Sequence, residues 1–220
     1  SRLMEEIVVT ARRKEESIMD VPIMVSAFNS EELEQKGIGR AIDLMFNVPS
    51  LSMETRFGNL FGNFTVRGLG LGVTTYLADA PLGPTNASAP LFDMASVQVL
   101  NGPQGTAFGR SNTAGAVLME PNAPELDQLN ASAKVKTGNY DRLDVDLMFN
   151  VPIIEDTLAL RVAYNSVKRD GFTDLIKDEY TDMLAELTGA GNNPFPDALD
   201  DKDQQSWRVS LRWEPGDGRF

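Results

Sequence analysis

After Pro124 the chain falls into a two-residue rhythm that it keeps through four segments, and this rhythm restricts its fold more than any other feature. Leu129, Ala131, Ala133, Val135 and Thr137 alternate with Asn130, Ser132, Lys134 and Lys136. Leu143, Val145, Leu147, Phe149 and Val151 alternate with Asp144, Asp146, Met148 and Asn150. Leu158, Leu160, Val162 and Tyr164 interleave with Ala159, Arg161, Ala163 and Asn165, and Trp207, Val209, Leu211 and Trp213 interleave with Arg208, Ser210 and Arg212. A period of two sends neighbouring side chains to opposite sides of a strand, so each segment has one apolar and one polar face. A half-buried antiparallel sheet in water alternates in the same way. The connections separate the two cases. Gly138 to Tyr140, Pro152 to Asp156 and Pro215 to Gly218 are short, whereas Asp170 to Asp203 runs for 34 residues. One end of the sheet thus carries a long loop and the other only brief turns, the asymmetry of membrane β-barrels. Segments of about 9 to 11 residues also suit tilted membrane strands. Tyr164, Trp207 and Trp213 fit interfacial aromatic girdles, as they would fit the core face of a soluble sheet.

Four strands do not close a barrel. An open edge in hydrocarbon leaves backbone donors and acceptors unpaired at several kcal/mol per group, and plugged barrels have about 22 strands. The chain runs out at EPGDGRF, a turn with no following strand. It is therefore expected to be a fragment or truncated product of a larger barrel protein.

Composition narrows the functions. Cysteine and histidine are absent, which removes disulfides, thiolate chemistry, the commonest general base and the commonest zinc ligand. With no convincing Ser/Lys arrangement either, an enzyme is disfavoured. A net charge of −12 argues against nucleic acid as a partner. More than half of that charge lies between Asp174 and Asp203, where nine acids face Lys177 and Lys202. This segment lacks the ligand spacing of a calcium loop, so solvation is its expected role. No run of 18 apolar residues encodes a transmembrane helix and no signal peptide opens the sequence.

The first 125 residues read as small α+β packing. Glu6 to Ala11, EIVVTA, is a β-branched hexamer ahead of any packed element, followed by the polar RRKEE. It suits either an ordinary edge strand or a peptide recognised by strand addition, in which backbone hydrogen bonds supply the affinity. Val21 to Phe28 predicts a strand. Ser30, followed by Glu31 and Glu32, predicts a helix N-cap, and Gly37 its stop. Arg40 to Phe46 predicts a second short helix that ends before Pro49. Arg56 to Asn63, RFGNLFGN, and Leu82 to Ala89, LGPTNASA, show no period and read as loops. Gly68, Gly70 and Gly72 lack the third glycine of a dinucleotide fingerprint. From Asn101 to Val117, NGPQGTAFGRSNTAGAV places Gly102, Gly105, Gly109 and Gly115 within seventeen residues, which predicts a compact knot of tight turns and close backbone approaches.

EEIVVTARR at Glu5 to Arg13, VPIMVSAF, VRGLG at Val66 to Gly70 and the NGPQG segment stand in an order and spacing that resemble the TonB-dependent outer-membrane receptors. The resemblance implies an N-terminal extension over 1–16, an α+β plug over 17–125 and the first four strands of an outer-membrane β-barrel over 126–220. By the same resemblance Glu6, Ile7, Val8, Val9, Thr10 and Ala11 form the TonB box, grasped by the periplasmic domain of the energy transducer. Arg67 and Arg110 would lock the plug to acidic residues of the enclosing wall, a task that suits the forked guanidinium. Arg56, Phe57, Asn59, Phe61, Asn63, Thr85 and Asn86 would face the solute. The implied function is active import of a scarce solute, a metal chelate, cobalamin or a saccharide, across the bacterial outer membrane, with outer-membrane lipid and the transducer as partners and neither cofactor, metal site nor catalytic residue.

Several positions depart from the family pattern. Asn101 stands where a charged residue usually precedes GPQG, MASVQVL before it holds no acid or base, and Ala114 with Gly115 replaces a glycine pair. The rival reading is a truncated receptor that does not transport and serves as an interaction component of an envelope assembly.

Overall fold

The computed structural model describes residues 8–9, 16–17, 24–56, 61–69, 72–82, 90–105, 112–174, 198–199 and 201–215. The chain forms two units, Ser1–Ala123 and Pro124–Phe220.

The first unit begins with β1 (Val8–Val9) and β2 (Glu16–Ser17), two short strands paired antiparallel. β3 (Val25–Asn29) leads directly into the helix α1 (Ser30–Gln35). The expected strand over Val21 to Phe28 is found from Val25 onward, and residues 21–23 lie outside the described residues. The cap is Asn29 and not Ser30: Asn29 Oδ1 accepts from the Glu32 amide at 2.8 Å while Glu32 Oε2 accepts from the Asn29 amide at 3.1 Å. This reciprocal box satisfies two donors that the first helical turn leaves open. Gly37, at φ +65°, ends the helix as expected, and the Ile38 amide returns to the Leu33 carbonyl at 2.8 Å.

The second short helix expected over Arg40 to Phe46 is present as a 3₁₀-helix, Ala41–Phe46. Asp43 gathers the turn that starts it, accepting from the amides of Gly39 (3.2 Å) and Arg40 (2.9 Å) and pairing with the Arg40 guanidinium at 2.9 Å.

β4 (Leu51–Arg56) and β5 (Phe61–Val66) form an antiparallel hairpin. β6 (Val73–Leu77) and β7 (Ala80–Leu82) are joined by Ala78 (φ 46°) and Asp79 (φ 65°), the pair of left-handed residues that a type I′ turn requires. β8 (Met94–Asn101) and β9 (Gly115–Pro121) complete a five-stranded sheet of order β3-β8-β9-β6-β7, in which only β6 and β9 run parallel. Val97, Val99 and Val117 in its centre pack with Phe28 of β3, Leu33 of α1, Leu44 of the 3₁₀-helix and Phe64 of β5 in one apolar core.

The second unit is a four-stranded antiparallel sheet made of β10 (Asn130–Gly138), β11 (Arg142–Ile154), β12 (Leu158–Arg169) and β15 (Lys202–Trp213), in the order β10-β11-β12-β15. Between β12 and β15, β13 (Thr173–Asp174) and β14 (Ala198–Leu199) pair with each other, so the ends of the long acidic segment continue the hairpin. Registry aligns Phe149 with Val162 and Val209, and Leu147 with Tyr164 and Trp207, along one face. The opposite face aligns Asn150, Arg161 and Ser210.

The two faces are inverted relative to a sheet in water. Trp207 is 75 % exposed and Trp213 68 %, with Phe149, Val209 and Leu211 exposed beside them, whereas Asp144, Asn150, Arg161 and Asn165 are buried on the polar side. A soluble sheet buries its apolar side chains; this one offers them to an apolar solvent. The apolar run from Leu143 to Ile153 covers about 33 Å of strand at the usual rise, or about 23 Å of depth at a tilt near 45°.

Candidate functional site

The strand-addition candidate is seen in part. Val8 and Val9 pair with Ser17 and Glu16, so their backbone is already extended and already engaged within the chain. Glu6, Ile7, Thr10 and Ala11 lie outside the described residues.

The glycine motifs meet where the N-terminal segment enters the sheet. Asn101, buried at the end of β8, donates from its backbone amide (3.0 Å) and from Nδ2 (3.3 Å) to the Met24 carbonyl, and its Oδ1 accepts from the Ser50 hydroxyl at 2.7 Å. Arg67 reaches the same two residues: its backbone amide donates to the Ser50 carbonyl at 2.9 Å, and Nη2 lies 4.0 Å from Met24 Sδ. Arg67 is exposed and left-handed (φ 53°), which turns the chain tightly so that the Leu69 amide returns to the Val66 carbonyl. Met24, Ser50, Arg67 and Asn101 thus form one junction. A charged residue at position 101 would carry a desolvation cost there, whereas the amide satisfies two neighbours without one.

Beyond Asn101 the backbone doubles back. Gly102, at φ +98°, donates to the Ala114 carbonyl at 2.9 Å, and the buried Gln104 donates from its amide to the Asn112 carbonyl at 2.7 Å. Asn112 Nδ2 in turn donates to the Tyr76 hydroxyl at 2.8 Å, joining the turn to β6. Gly115 has no room for a side chain, because a Cβ there would press on the Leu100 carbonyl oxygen of β8. The Gly102 and Gly115 part of the predicted knot is therefore present; residues 106–111, with Gly109 and Arg110, lie outside the described residues.

The two expected loops are partly strand. Arg56 closes β4, and Phe61 and Asn63 stand in β5, with Phe61 opposite Arg56 and Asn63 opposite Glu54. The period was hidden because Gly62 occupies the face that Phe64 and Val66 carry into the core. Phe57, Asn59, Thr85 and Asn86 lie outside the described residues.

Charge on the second unit is sorted by face. Within the four strands the polar face carries Lys134, Lys136, Arg142, Arg161, Arg169, Lys202, Arg208 and Arg212 against Asp144 and Asp146; Glu125 beside Arg161 and Glu214 beside Arg212 bring the sum to eight cations minus four anions, or +4 in a chain of net −12. Arg142 holds Asp144 and Asn165 Nδ2 donates to Asp146 at 2.6 Å. Sequence reasoning treated these residues only as the polar half of an alternation; strand register reveals the sign. In the first unit, partial desolvation raises the pKa of the carboxyl of Glu120, an exposed residue at the end of β9, and nearby Asp79 raises it further.

The family model for the TonB-dependent Receptor Plug Domain matches residues 17–116. The pesticin receptor of Yersinia pestis is 26% identical over 126 residues, covering 54% of this chain and 19% of that protein. The vitamin B12 transporter BtuB of Vibrio vulnificus (strain YJ016) is 24% identical over 176 residues, covering 76% of this chain and 28% of its own length. Among solved structures, the ferric yersiniabactin uptake receptor FyuA of Yersinia pestis superposes with a TM-score of 0.71 at 23% identity, over 89% of this chain and 29% of that one. The chain spans less than a third of the length of each of these relatives.

Proposed function

Given that residues 17–116 belong to the TonB-dependent receptor plug domains, we propose that the chain is the plug and the first barrel strands of an active importer in the bacterial outer membrane. Glu6 to Ala11 is the strand handed to the energy transducer in the periplasm. Solute bound from outside shifts the population of plug conformations that release this strand, and traction on it remodels the plug. Arg56, Phe57, Asn59, Phe61, Asn63, Thr85 and Asn86 form the solute-facing side, and Arg67 and Arg110 secure the plug. The step is mechanical and involves no covalent chemistry.

The observation that carries this reading is the junction at Met24. The residue through which the N-terminal segment enters the sheet is held by Asn101 at the head of the glycine knot, so tension on the segment arrives at the knot through two hydrogen bonds. Among solutes, the cationic polar face favours an anionic metal chelate over a neutral saccharide, because fixed charge of one sign attracts the opposite sign.

The test is Val8→Pro in the full-length receptor, which removes a backbone donor from the proposed strand. Energised uptake of a ferric chelate should collapse while its binding at the cell surface persists; undiminished uptake refutes the role.

A further inference from the structure

We propose that Asn150 anchors a clamp on the segment Pro124–Gln128, which connects the plug to β10, and that this clamp sets how far the plug can be drawn from the barrel under load. Asn150 is fully buried on the polar face of β11. Its Oδ1 accepts from the Glu125 amide at 2.9 Å, and its Nδ2 donates to the carbonyls of Glu125 (2.9 Å) and Gln128 (2.7 Å). One amide side chain thereby takes the place of a neighbouring strand, satisfying three backbone groups of a segment that has no ladder of its own.

The neighbouring strands complete the grip. From β15, Arg212 Nη1 donates to the Pro124 carbonyl at 3.3 Å while the same guanidinium is oriented by Glu214. From β12, the buried Arg161 lies with Nη1 3.7 Å from Glu125 Oε1. The amide of Asp156, in the β11–β12 turn, donates to the Leu126 carbonyl at 3.3 Å. Three strands and a turn thus hold four of five consecutive residues, at the end of the sheet away from the long acidic segment. A tether bonded this densely does not slide, so a pull on the plug's N-terminal side ends at Pro124 and is passed to the barrel wall.

The inference rests on the importer reading, and its test is read without transport. The full-length receptor is held in a lipid bilayer and stretched from its N-terminus. In the wild type the last event before the barrel itself bears load is release of Pro124–Gln128, five residues and about 18 Å of contour. Asn150→Ala loses that event, and the Glu125 amide exchanges with solvent at least about tenfold faster. Glu125→Pro, which deletes the linker's donor and leaves every barrel residue intact, also loses the event, so misfolding of the wall cannot produce the result. A wild-type trace without the step, or variants that retain it, overturns the clamp. Failure of the wild type to take up any ferric chelate counts against the importer reading, and the stretching trace still decides the clamp.

Discussion

The backbone amide and the side-chain amide of Asn101 converge on one acceptor, the carbonyl oxygen of Met24, at 3.0 and 3.3 Å. This bifurcated grip joins the first described residue of the packed plug to the end of β8, 77 positions away. Asn101→Ala should destabilise the plug by about 1–3 kcal/mol, since it strips a partner from Met24 and leaves the Ser50 hydroxyl unanswered. The denaturant midpoint of the plug should fall, and the N-terminal segment should become protease-sensitive without solute. An unchanged midpoint would show that the junction carries no load.

Val209 stands on the exposed apolar face, in register with Val162 and Phe149 near the middle of the run. Val209→Arg should lower barrel stability in lipid by about 2–4 kcal/mol, the cost of a midplane cation facing hydrocarbon. On the polar face, Ser210→Arg should cost far less. Equal effects in a heat-stability gel of the full-length receptor would contradict the assignment of faces.

Glu120 supplies a pH dependence with a definite sign. Partial desolvation of this largely exposed carboxyl, reinforced by Asp79, raises its folded pKa above the unfolded value. The native plug therefore binds this proton more tightly than the unfolded chain does, so stability is greatest below the unfolded pKa and falls as pH rises through the folded one. Glu120→Gln should leave stability unaltered in acid and raise it near neutrality. A variant that melts identically to the wild type at pH 7 would remove the effect.

Lys134 and Lys136 are exposed neighbours on the cationic face. Replacing both with Gln should weaken binding of an anionic ferric chelate several-fold at low salt, with a smaller loss at high salt, because screening already suppresses the attraction. Binding of a neutral solute should not respond. Titrations of the full-length receptor at two ionic strengths distinguish these outcomes.

Legibility in the sequence followed the solvent on each side of a strand. β10, β11, β12 and β15 could be read directly, because lipid-facing and inward positions alternate in chemistry from Leu129 to Trp213. β8 could not: Val97, Gln98, Val99 and Leu100 are all buried, so the strand shows no alternation and resembles any apolar run. The helix at Ser30 was legible to within one residue, since Asn29 and Ser30 are both good caps and only the reciprocal bond with Glu32 separates them. The junction at Met24 escaped altogether. Its partners are scattered over residues 24, 50, 67 and 101, and the single hint was an uncharged Asn where the family pattern has a charge.

β3 occupies one margin of the five-stranded sheet and touches a single neighbour, β8. A slat with one fastened side can be peeled away while β8, β9 and β6 stay knitted together. Within this sheet, whatever draws on the leading tail is thus met first by an edge strand, which would let a passage form at modest force and let the remaining sheet serve as the template on which β3 is laid back down.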